Sequence, residues 1–157
     1  MTTTSTTRLE LGHPAPNFTL PAITGGNVIR SAYRARKHLA LIFLPFVDLP
    51  SREYLEELRA RYGEIREADS EILAIVTDPG ASADGLAAAL ELPFPLLLDP
   101  DGRTALRFLP EGAVSGLFIL DRYAKLRAQW TLHITEPLPP AQEIIDWLLA
   151  LDMMCVL

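Results

Sequence analysis

The chain has 157 residues, 49% of them hydrophobic and 22% charged, with 14 basic against 20 acidic side chains. That length and balance describe one domain able to bury a core without disulfides or metal, and they exclude a disordered chain. The formal charge of −6, carried with scattered basic residues, disfavours a nucleic-acid partner, because phosphate binding needs clustered Lys and Arg.

Residues 1–10, which open MTTTSTT, show neither a basic nor an apolar leader pattern and are expected to form a flexible tail. Residues 11–152 read as the domain and 153–157 as a C-terminal tail. From Phe18 to Arg30 two short apolar runs flank Gly25-Gly26, the pattern of a β-hairpin. The basic run from Arg30 to His38 reads as a solvated loop. His38 to Leu44, HLALIFL, is a continuous apolar run and predicts a strand covered on both faces. The longest apolar stretch, 39–47, is far too short to span a membrane.

Pro45 and Pro50 bracket the next loop. Ser51 is expected to cap a helix with Glu53 and Glu56 in its first turn, and Leu55, Leu58, Tyr62 and Ile65 give that helix one buried stripe. Ile72 to Thr77 predicts a strand, residues 81–92 an Ala-rich helix, and Pro95 to Leu98 a short strand closed by the turn Asp99-Pro-Asp-Gly. A short helix over Arg103 to Phe108 and a hairpin of Leu117 to Leu120 with Leu126 to His133 follow. Pro139 and Pro140 then open a terminal helix. Alternating strands and helices ending in a hairpin argue an α/β fold with a mixed central sheet flanked by helices.

This order, with the strings GHPAPNFTLPAITGGNVI at 12–29, LIFLPF at 41–46, AIVTD at 74–78, LPFPLLLDPDGRTALRF at 92–108 and LFILDRYAKLR at 117–127, resembles the peroxiredoxins. That family of alkyl hydroperoxide reductases and thiol-specific antioxidants has a thioredoxin-like fold. The resemblance implies thiol peroxidase chemistry carried by Pro-x-x-x-Thr-x-x-Cys and a distant arginine. Here Pro45 matches the proline, but Leu49 stands at the threonine, Arg52 at the cysteine and Ser115 at the arginine. A register moved by one residue would place Ser51 or Glu53 at the cysteine position.

Attack on an O–O bond needs a low-pKa sulfur nucleophile, and a serine hydroxyl near pH 7 is not one. The sole cysteine, Cys155, lies about a hundred positions from the helix start. A lone cysteine also permits no internal disulfide, which fits an expected cytoplasmic location. His13, His38 and His133 lack metal-ligand spacing, so no metal or other cofactor is expected. The expectation is a binding or interaction module that has lost the peroxidase site. The alternative is an active antioxidant oxidoreductase working through Cys155 or a partner's thiol. Leu44, Phe46, Val47 and Leu49 cannot all face a core, so they are candidates for a homodimer surface, with any further partner unknown.

Overall fold

A computed structural model describes residues 7–46, 48–77, 91–133 and 136–156. Its centre is β3 (His38–Leu44), in which all seven residues are buried. β4 (Ser70–Val76) pairs parallel with one edge of β3, and β6 (Ser115–Leu120) pairs antiparallel with the other. β5 (Leu96–Leu98) and β7 (Leu126–Leu132) complete a five-stranded mixed sheet in the order β5-β4-β3-β6-β7. The apolar run HLALIFL becomes the middle strand because only a strand with neighbours on both edges and layers on both faces keeps every such side chain from water. The predicted N-terminal hairpin is present as β1 (Thr19–Pro21) and β2 (Asn27–Ile29), turned by Gly25 and Gly26 at φ 107° and 76°.

Alternation along β3 divides the core into two layers. Ala40, Ile42 and Leu44 face α1 (Leu49–Ala60), α2 (Tyr62–Glu67) and α4 (Ala141–Val156), meeting Leu55, Leu58, Ile65, Ile144 and Leu148. Leu39, Leu41 and Phe43 face the hairpin and α3 (Arg103–Phe108). There the rings of Phe43, Phe108 and Phe118 pack mutually, two of the pairs edge to face, with centroids 5.0–5.6 Å apart. Each fully buried Leu, Ile or Phe contributes about 1.5–3 kcal/mol, so both faces of the sheet are firmly held.

Several expectations change. The cap of α1 is Asp48, not Ser51: its carboxylate accepts the Ser51 backbone N–H at 2.9 Å, Pro50 sits in the first turn, and no acidic residue does. The single helix expected after Ser51 is broken at Arg61 into α1 and α2. Arg30 is not solvated. It is 7% exposed, opens a short 3-10 turn (Arg30–Tyr33) and donates to the carbonyls of Ala15 and Pro16, so backbone acceptors replace its water. His38, at the other end of that run, is fully buried.

The helix expected over 81–92 lies outside the described residues, apart from its last two positions. Asp99 is buried and its carboxylate accepts the N–H groups of Thr104 and Ala105, fixing the start of α3. Near the N-terminus Arg8 donates to the Leu109 carbonyl and Leu9 accepts from Gln129. At the other end α4 continues through Val156.

Candidate functional site

At the C-terminal end of β3 the chain leaves the sheet through Pro45 and re-enters helix at Leu49. Facing this exit are the first residue of β6, Ser115, and the segment Glu136 to Leu138 that leads to α4. The three enclose a cleft of about 240 Å³. Two serines line it, Ser51 and Ser115, together with Tyr54, Asp48, Glu136 and an apolar remainder that includes Pro45, Phe46, Val114 and Leu138. Arg52 and Leu49 do not line it. Arg52 is exposed and Leu49 is 66% exposed.

Arg52, which counting from Pro45 sets at the lost cysteine position, does not line the cleft, whereas Ser51, the alternative one residue earlier, does. Ser51, Leu55 and Leu58 stand at i, i+4 and i+7, so the stripe that carries the two buried leucines into the core also carries Ser51 into the cleft. The neighbouring stripe of Arg52 and Arg59 points to solvent. That spacing was present in the sequence and is the signal that locates Ser51. Of the other positions, Pro45 and Ser115 line the cleft. Leu44 is only 3% exposed and packs in the core, which removes it from the candidate contact surface, whereas Phe46 is 37% exposed. Val47 lies outside the described residues.

The electrostatics of the cleft follow from its cap. The Asp48 carboxylate takes hydrogen bonds from Ser51, chiefly its hydroxyl and then its backbone N–H, and they hold its pKa below the usual carboxylate range. The positive end of α1 is thus occupied by a carboxylate of the same chain. Glu136 accepts the His133 N–H at 2.8 Å. Tyr54 donates to the Pro139 carbonyl at 2.6 Å, and burial first, then Glu57 and Glu143, push its pKa far above the ordinary phenol value. Among the described residues no Lys or Arg lines the cleft. Among the described residues no group of three His, Cys, Asp or Glu is placed to hold a metal ion.

A second polar cluster sits at the opposite end of β3. His38 is fully buried with its Nε2 3.7 Å from Asp152 of α4, and Arg122 donates to both Asp69 and Asp152. Burial and then the Arg122 charge lower the His38 pKa, outweighing Asp152, Asp121 and Asp69. Cys155 follows three residues after Asp152 on the same helix, at this end of the sheet. Six strand steps of about 3.3 Å put roughly 20 Å between the two ends.

Residues 11–129 match the AhpC/TSA family. The chain belongs to that family. Alkyl hydroperoxide reductase E of Mycobacterium bovis is 32% identical to this AhpC/TSA chain over 136 residues, covering 76% of it and 83% of the relative. A peroxiredoxin-named protein of Mycobacterium tuberculosis is 35% identical over 99 residues, and the chain spans 62% of that relative's length. Among solved structures, Enterococcus faecalis AhpC superposes with a TM-score of 0.79 at 18% identity, covering 93% of this chain and 94% of the other. Peroxidoxin BcpB of Mycobacterium tuberculosis gives 0.75 at 21%, covering 93% and 97%. Both show the thioredoxin-like fold that the family strings imply. Unlike the family pattern, this AhpC/TSA chain carries no cysteine near the start of α1, its one cysteine being residue 155.

Proposed function

We propose that this protein has lost thiol peroxidase chemistry and keeps the AhpC/TSA scaffold as a binding module, working as a cytoplasmic homodimer. The observation that carries the reading is the pair Ser51 and Ser115 in the cleft, with the one cysteine at the far end of the sheet. In peroxide reduction a thiolate attacks one oxygen, the O–O bond breaks, the sulfur becomes a sulfenic acid and the other oxygen leaves with the electron pair. A cation must meet that developing charge. Here hydroxyls replace the thiol and the arginine, and the carboxylates of Asp48 and Glu136 oppose negative charge. The proposed dimer surface is the exposed pair Phe46 and Leu49 with Val47 between them in sequence.

Family membership and the relative named alkyl hydroperoxide reductase favour a second reading, an antioxidant oxidoreductase using Cys155 or a partner's thiol. Peroxide consumption by purified protein with dithiothreitol or thioredoxin separates the two. The proposal expects no turnover above background with hydrogen peroxide or alkyl hydroperoxides. Turnover that disappears in Cys155→Ser would establish the second reading instead.

A further inference from the structure

The cleft is not merely an emptied peroxidase site, because its remaining polar groups share one preference. Ser115 is 8% exposed, lines the cleft, and its hydroxyl has no hydrogen-bond partner among the described residues. Its oxygen is not one of the fully buried unpaired atoms, so it reaches the solvent of the open cleft and is available to a polar group of a ligand. Among the described residues the lining of the cleft carries two carboxylates, Asp48 and Glu136, and no cation. The helix N-terminus, which would otherwise draw an anion, is already satisfied by Asp48. Apart from Ser51 and Tyr54 the rest of the lining is apolar and includes the Phe46 ring, a surface that attracts organic cations as well as hydrocarbon.

Resting on the reading that peroxide chemistry is gone, we propose that this cleft binds a small organic ammonium ion, its cationic end toward Asp48 and Glu136, its apolar body against Phe46 and Leu138, and the Ser115 hydroxyl paired with the ligand. Charge selects the class. The two carboxylates favour an ammonium and oppose a carboxylate, phosphate or peroxide anion of equal size. A neutral analogue keeps the apolar contacts and loses the charge term.

Three probes of similar size test this: benzylamine, benzyl alcohol and benzoate, titrated into 15N-labelled full-length protein while the backbone amides of Ser51, Val114 and Ser115 are followed. Benzylamine should give saturable shifts at those amides, at least about tenfold tighter than benzoate, with benzyl alcohol between them, and rising salt should weaken it. Asp48→Asn, which preserves the helix cap, should weaken benzylamine at least about threefold and narrow the gap to benzoate. Glu136→Gln should act in the same direction. Benzoate binding as tightly as benzylamine, or no saturable benzylamine shift at about 20 mM, overturns the inference, since the best affinity would then be weaker than the millimolar class. Either of those results in a protein that consumes no peroxide leaves the loss of chemistry standing and removes the ammonium site alone.

Discussion

Restoring a cysteine at the cleft should not by itself restore a reactive thiol, and the reason is Asp48. In a Cys155→Ser background, Ser51→Cys places sulfur where the Ser51 side chain now faces the cleft. The helix terminus favours the thiolate by about 0.3–1 kcal/mol, under one pK unit downward. Against this, the Ser51 backbone nitrogen is 2.9 Å from the Asp48 carboxylate. Because the hydroxyl it replaces also donates to that carboxylate, the new sulfur would stand roughly 4 Å from a negative charge, worth about 1 kcal/mol at the dielectric of water and about 4 kcal/mol at an effective value near 20. Because Asp48 is exposed, solvent screening favours the lower figure, about half to one pK unit upward. The two terms nearly cancel, and the thiol should titrate near the free value of about 8.5. Adding Asp48→Asn keeps the cap, removes the charge and should lower the pKa by about half to one unit. The rate of iodoacetamide alkylation against pH reads these values directly. A Ser51→Cys thiol titrating below about 7 with Asp48 intact, or indifferent to Asp48→Asn, would refute the reasoning. Arg52→Cys is the control: on the solvent stripe, its thiol should stay near the free value.

If Phe46 and Leu49 form a dimer surface, Phe46→Glu should yield a folded monomer by light scattering, since burying an unpaired charge costs several kcal/mol; an unchanged dimer, or a wild-type monomer, removes that surface. The lowered pKa of His38 makes the unfolded chain bind more protons than the folded one below about pH 6.5. The associated stability is therefore complete above that pH and falls on acidification, by up to about 1.4 kcal/mol per pH unit until the folded value is passed. Urea unfolding of wild type and His38→Leu from pH 7.5 to 5 should show this slope in the wild type only, and parallel curves would contradict it. Gly116→Ala would set a methyl 2.7 Å from Leu109 Cδ2 and 3.0 Å from the Trp130 carbonyl oxygen. It should cost about 1–3 kcal/mol in chemical denaturation, and a neutral result would mean β6 and β7 can shift apart.

Most strands were legible because their cues are local. HLALIFL has no polar face to expose, Gly25-Gly26 can turn where other residues cannot, and Asp99-Pro-Asp-Gly turns the chain from β5 into α3, with the Asp99 carboxylate capping the helix. The cleft was legible in outline through Pro45 and Ser115, but counting from Pro45 favoured Arg52 where the cleft takes Ser51, the alternative one residue earlier. Matching a motif by counting from Pro45 assumes a loop of fixed length, whereas the helix sets its own phase through Leu55 and Leu58. Asp48 as cap was signalled by the proline two positions later. Arg30 and the group His38, Arg122, Asp69 and Asp152 gave no such signal. Their partners lie 14 to 114 positions away, and only the folded chain brings them together.

β3 has a consequence for how the cleft opens in time. Buried along its whole length and paired on both edges, it is a core strand whose amides are expected to exchange with solvent only through global unfolding. Leu44 and Ser115, the inner end of the cleft, ride on this strand and its neighbour. Asp48 and Glu136, by contrast, belong to connecting segments with exposed side chains. One side of the cleft is thus held for as long as the protein stays folded, while the charged rim can rearrange on the nanosecond-to-microsecond scale of loops. A molecule seated there could enter and leave past the rim many times without any disturbance of the sheet beneath it.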